Sequence, residues 1–287
     1  MTAETFALHF LNGVTFGALL FLLASGFTLI FGLMRITNLC HGGLYLVGGY
    51  LGYTVLVASG NFWLALLVAG VAVALLGLGI ERVLLRQVRG QVDPEVLLTL
   101  GLAFVLGDVA LAIWGGDPRT IRTPGLLSES VSLAGLTYPI FRLFVALVGV
   151  AIGVGLWYLQ ERTQLGAIIR AGVDDREMVD AMGIDVKVVF NRVFGLGALL
   201  AGLAGLLGGA FLALYPGADF EILLLAVVVV IIGGPGSLLG AVVGSLTVGL
   251  IDAFAKALVP DLLYFTLFAP MVLILAWRPY GLLGRPS

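Results

Sequence analysis

The chain has little of what most enzymes use. Of its 287 residues only 11% are charged, two are histidine and one, Cys40, is cysteine. A single cysteine excludes an intrachain disulfide. His9 and His41 stand far apart, and no Cys/His cluster has metal-ligand spacing, so no metal site is expected. The only lysines are Lys187 and Lys256, and neither sits in a G-x-x-x-x-G-K-[ST] phosphate loop. The chain therefore holds no ATP-hydrolysing machinery of the usual kind, and no cofactor is expected in it. No polar stretch exceeds roughly thirty residues, well short of a typical soluble domain. The first basic residue is Arg35, so the first apolar run lacks the charged start of a cleavable signal and reads as a retained span.

What is present is apolar. Hydrophobic residues make up 60% of the chain and the mean hydropathy is +1.13. A bilayer core of ~30 Å needs ~20 apolar helical residues. On that ruler the spans fall at about 8–33, 40–58, 62–81, 95–114, 139–159 and 189–213. An apolar stretch over about 221–255 follows, broken by "GGPGS" at 233–237, and a last span covers about 262–277. The expected fold is all-α: one polytopic bundle over 1–287, with eight or nine spans depending on how the broken stretch is counted.

The basic residues choose an orientation. Arg82, Arg86 and Arg89 follow the third span; Arg162, Arg170, Arg176, Lys187 and Arg192 follow the fifth; Arg278 and Arg285 close the chain. Ten of the fifteen Lys+Arg thus fall in three segments, which the positive-inside rule makes cytoplasmic. Nine spans put all three on one side, with the N-terminus outside and the C-terminus inside. The segment 115–138 is then an external loop with an alternating tail able to form a short strand. The link "YPGADFE" at 215–221 is also external.

Glycine is abundant, at 41 residues. Lipid gives helices no hydrophobic reason to associate, so small residues that permit close backbone approach carry much of the packing. Gly197, Ala201, Gly205 and Gly209 recur every fourth residue, as do Gly236, Gly240 and Gly244, and both stripes read as helix–helix seams. Among intramembrane polar groups, Asp108 sits mid-span, and Asp252 and Lys256 are one helical turn apart, able to pair or snorkel. In "RITNLCHGGLYLVGGY", residues 35–50, Asn38 and His41 are three apart and share a face at the start of the second span. They read either as pathway groups near the cytoplasmic mouth or as hydrogen-bonding anchors to neighbouring helices.

The segment 160–188 is too long for a plain connector. Its middle, "DDREMVDAMGI", reads as a short helix capped by Asp174 or Asp175, with Glu177 following and Gly183 ending it before Ile184. Met178, Ala181 and Met182 fall on one side. An interfacial helix lying on headgroups favours Lys and Arg on its polar face, whereas this one is acidic, so docking to another protein is the expectation.

At these residues the chain resembles a known family. Three stretches, "ASGFTLIFGLMRITNLCHGGLYLVGGYLG" at 24–52, "LGAIIRAGVDDREMVDAMGIDVKVVFNRVFGLGALLAGLAGLLGG" at 165–209 and "AVVVVIIGGPGSLLGAVVGSLTVGLID" at 226–252, are similar to the membrane-spanning permease subunit of bacterial ABC importers for branched-chain amino acids, with relatives for urea and short amides. The resemblance covers nearly the whole chain in order and spacing. It departs at Gly43, where the family usually has an acid after His-Gly, and at Gly107-Asp108, where it usually has Gln-Asn. The resemblance implies a bacterial inner-membrane protein working by alternating access beside a second permease subunit, the same chain or a different one. It also implies two ATP-binding subunits, which hold the ATP and Mg, and a periplasmic substrate-binding protein. No nucleic-acid partner is expected. The helix at 174–184 becomes the coupling helix that seats on the ATPase. A reading from another class is an ion-coupled secondary transporter using Asp108 and His41, with "GGPGS" breaking a helix as discontinuous carrier helices do.

Overall fold

A computed structural model of the chain describes residues 2–34, 38–133, 136–174 and 176–284. Its helices are α1 (Ala3–Met34), α2 (His41–Ser59), α3 (Phe62–Ile80), α4 (Val92–Trp114), α5 (Ile140–Arg162), α6 (Gln164–Asp174), α7 (Arg176–Ala181), α8 (Val186–Leu212), α9 (Ala218–Gly233), α10 (Leu238–Leu258) and α11 (Leu263–Trp277). Seven of them, α1 to α5, α8 and α10, are long and apolar enough to cross a membrane. The other two apolar helices, α9 and α11, have 16 and 15 residues, short of the ~20 a full crossing needs. The tail of 115–138 forms a hairpin, β1 (Ser130–Leu133) pairing antiparallel with β2 (Leu136–Pro139).

The helix boundaries have local causes. Asn61 caps α3 by accepting from Trp63 N and Leu64 N at 3.0 and 3.1 Å, and Ser237 caps α10 by accepting from Gly240 N at 3.0 Å. Gly60 and Gly234 end α2 and α9 with φ of 67° and 101°, a region open to residues without a Cβ. The break at 233–237 is therefore a true turn: it separates α9 from α10. Gly236, expected in a helical stripe, lies in that turn with φ 79°. It still serves close approach, since it packs on Gly32 of α1.

Two ends of the bundle follow from the contacts. At one end α3 meets α8, where Asn191 Nδ2 donates to Glu81 Oε2 at 2.7 Å and to the Leu78 carbonyl at 3.1 Å. Glu81 also pairs with Arg89, whose guanidinium lies over the Phe190 ring at 4.7 Å. Arg89 is thus spent on an internal ion pair, while Arg82 and Arg86 stay exposed. The same end holds the Gly32–Gly236 contact and the chain's last described turn, where Leu282 N and Leu283 N donate to the carbonyls of Ile232 and Gly233. We call this the basic end. At the far end Tyr138 and Arg142 meet Asn12, Phe62 faces Phe141, and Trp114 Nε1 donates to Thr54 Oγ1 at 2.7 Å.

The core is a packing of α1, α2, α8 and α10 backbones made close by glycine. The expected seams are where the stripes put them. Gly197 meets Gly26, Gly205 meets Tyr45 and Gly49, and Gly209 meets Ile121 and Leu214. Ala201, between Gly197 and Gly205 in the first stripe, is fully buried, and in the second stripe Gly240 meets Gly233 and Gly244 meets Val229. By contrast α3, α4 and α5 turn apolar faces outward, including Leu67, Leu75, Phe104, Leu147 and Val154.

Candidate functional site

The polar groups inside the bundle fall into three places. The first is the start of α2. His41 Nε2 hydrogen-bonds the Leu23 carbonyl at 3.2 Å, and its ring stands edge-on to Phe27 at 5.7 Å. Leu23 is nine residues from Gly32, so at 1.5 Å per residue His41 lies about 14 Å in from the basic end. The helix therefore begins inside the bundle, deeper than a position at the cytoplasmic mouth. Gly42 packs on the Asp219 backbone at the start of α9, and Gly43 on Ala103 and Leu106 of α4. Asn38 and His41 are both fully buried; Asn38 Oδ1 accepts from Cys40 Sγ at 2.9 Å. His41→Ala is expected to keep the protein inserted but to lower its stability by about 1–3 kcal/mol, since it removes the bond and ring contact joining α1 to α2. Thermal unfolding of the purified protein measures this. Wild-type stability with lost transport would instead make His41 a pathway group.

The second place is α4. Asp108 does not join Asn38 and His41 in the core: it is exposed, on a stripe with Leu97, Gly101, Phe104 and Leu111. Among the described residues nothing lies within 4 Å of a Cβ built at Gly101. The adjoining Gly107 faces Asp219, a buried acid 3% exposed that begins α9.

The third place is the far end. Asp252 and Lys256 do pair, at 2.7 Å, and the ammonium also lies over the Phe16 ring at 5.3 Å. Arg142 donates to Asn12 Oδ1, which also accepts from Tyr138 Oη at 3.1 Å, and its guanidinium covers the Phe211 ring at 4.6 Å. Tyr215 Oη donates to Glu221 at 2.6 Å. Reading the sequence missed Arg142, Asn12 and Asp219. Arg142 opens an apolar helix near a loop, where an arginine raises no alarm.

At the basic end α7 occupies only 176–181 of the expected 174–184, and the chain before it is a further helix, α6, that the sequence did not announce. Gly183 does end the turn, with φ 80°. Met178 and Met182 are 59% and 72% exposed, and Ala181 is exposed beside them, while Val179 is buried in the core. Asp175 and the side chains of Asp174 and Glu177, expected to cap and acidify this helix, lie outside the described residues. Among the described residues no group of three or more His, Cys, Asp or Glu could hold a metal ion.

Residues 9–276 match the family model described as the permease component of branched-chain amino acid transport systems. The chain is 30% identical to the high-affinity branched-chain amino acid transport system permease protein BraD of Pseudomonas aeruginosa, over 96% of this chain and 95% of that one. It is 29% identical to the corresponding permease protein LivH of Escherichia coli, over 96% and 94%. The probable branched-chain amino acid transport permease protein LivH of Methanocaldococcus jannaschii is 27% identical over 95% and 91%. No solved structure matches the chain.

Proposed function

The chain belongs to the permease component family of branched-chain amino acid transport systems, and we propose that it forms the membrane pathway of an ATP-driven importer of branched-chain amino acids. It is a multi-pass protein of the bacterial inner membrane and a transport subunit, not an enzyme. The observation that carries the reading is the colinear match: residues 9–276, nearly the whole bundle, fit the family model.

Nine elements cross between the two ends in alternation, α1 to α5, α8, α9, α10 and α11. The short α9 completes its crossing with the link 213–217 above it, and α11 with the turn at 278–284 below it. This supports an N-terminus outside and a C-terminus inside, with the basic end cytoplasmic. Substrate arrives on a binding protein that docks on the external loop and hairpin. Two ATPase subunits close on ATP, and α7 passes that motion to the bundle through Val179 and the start of α8. The binding protein supplies most of the selectivity.

Asp108 supports a second permease subunit. An acid at mid-bilayer facing lipid costs ~2.5–3.5 kcal/mol on insertion scales. Gly101, two turns toward the basic end on the same stripe and open, lets another helix approach closely. The exposed stripe of α4 is therefore read as meeting that subunit, not lipid.

Uptake of labelled leucine, isoleucine and valine into proteoliposomes, with the ATPase subunits and binding protein added, tests the reading. ATP-dependent uptake that ignores an uncoupler is expected, in wild type and in Asp108→Asn. Uptake that runs without ATP, collapses with uncoupler and disappears in Asp108→Asn would mean an ion-coupled carrier.

A further inference from the structure

We infer that a two-chambered cavity at the far end of the bundle is a transient binding site for the amino-acid zwitterion. This rests on the reading of the solute as a branched-chain amino acid. The chambers measure about 290 and 210 Å³ and share Phe16, Leu212, Asp252 and Lys256. Arg142 lines the first and Glu221 the second.

The charges in the walls are the reason. Asp252 and Lys256 form an ion pair between the chambers, its carboxylate buried and its ammonium about half exposed, at 8% and 54%. The other two charges are not matched. Among the described residues no carboxylate lies within ion-pair distance of Arg142, which is held only by Asn12 and the Phe211 ring. Among the described residues no base lies within that distance of Glu221 either; its carboxylate accepts from the Tyr215 hydroxyl. The cavity thus presents a cation without an anion on one side, an anion without a cation on the other, and an exchangeable pair between. A molecule with one carboxylate and one ammonium completes that pattern with no net charge transferred. The carboxylate goes to Arg142 and Lys256, the ammonium to Asp252 and Glu221. Charge-assisted hydrogen bonds are the strong ones, and a partly dry site of lower dielectric strengthens them further. Phe16, Ile222 and Leu225 supply an apolar wall for a branched side chain. Urea or an amide has no charge to offer these groups.

A second observation marks the same wall. Ala213, which lines the second chamber, has φ 86° and ψ 162°. That region is nearly reserved for glycine, so the backbone is strained there. The strained residue joins α8 to α9.

The test uses the complete importer with its ATPase subunits and binding protein. A diazirine analogue of leucine is added, irradiated, and the adducts mapped by mass spectrometry. Adducts within 206–225 and 245–258, suppressed by excess leucine, are expected. Arg142→Gln and Glu221→Gln are each expected to lower this labelling and the uptake rate roughly tenfold, as loss of a hydrogen bond to a charged group does. Arg142→Lys should recover part of both, which a purely structural role for Arg142 would not require. Monodisperse complexes by size exclusion exclude misfolding as the cause. Labelling confined to the exposed face of α4, or full labelling in both Gln variants, overturns the site while leaving leucine transport by the wild type intact. Absence of wild-type leucine uptake overturns the solute reading and the site together.

Discussion

Changing Ala181 to Arg together with Met182 to Glu is expected to abolish ATP-driven uptake and to detach the ATPase subunits, with the permease still folded. Both positions are exposed, and Met182, at 72%, is among the most exposed apolar side chains of the chain. Neither holds the helix to the bundle: Val179, 3% exposed, does that. The fold therefore loses nothing. A docking groove that receives a methionine face must instead desolvate two charges without partners, at a cost of several kcal/mol. Each 1.4 kcal/mol is a factor of about ten in affinity, so co-purification should fall by about a hundredfold or more. Methionine suits such a face, since its flexible thioether adapts to an irregular partner surface. The check is co-purification of the ATPase subunits with the tagged permease, beside uptake in proteoliposomes. Uptake that survives the double change would remove α7 from the coupling path.

The second large effect is structural. Gly205→Val is expected to leave almost no folded protein. A Cβ built at Gly205 runs into the Tyr45 carbonyl oxygen and comes within 2.7 Å of Gly49 N. Both obstacles are backbone, so no rotamer change relieves them, and α2 must separate from α8. The neighbouring contacts allow no such shift, because Gly48 lies on the Gly202 backbone, with 2.5 Å from its own Cβ position to Gly202 Cα. Overpacking a rigid core costs about 1–3 kcal/mol and sometimes more. Here it also cancels the dispersion contacts that replace the hydrophobic effect between helices in lipid. Gly155→Val is the control, since a Cβ there meets nothing within 4 Å among the described residues. Yield and monodispersity in detergent should fall for the first variant and hold for the second.

Most of the bundle was legible because it is written locally. A run of apolar residues of bilayer length is a helix whatever surrounds it, so seven spans appear close to where hydropathy puts them. Gly183 and Ser237 mark a stop and a start by conformational preference alone. The stripe at 197–209 was readable as a seam because a small side chain every fourth residue makes a flat helix face. The candidate site was far less legible. Asp252 and Lys256 could be paired from a spacing of four, but Arg142, Asn12 and Glu221 are distant in sequence and ordinary in kind. Asp108 was visible as an acid in an apolar helix, yet hydropathy does not say which way a helix faces.

The sequence by itself determined the solvent, the helices and the short methionine-faced helix at the basic end. Each depends on composition or on residues within a turn or two. Only the tertiary structure decided that α2 starts inside the bundle against Leu23 and Asp219, that Asp108 turns outward, and that charges from three helices meet in one cavity. Those outcomes depend on which glycine faces which backbone, a choice made by close packing between segments far apart in the chain.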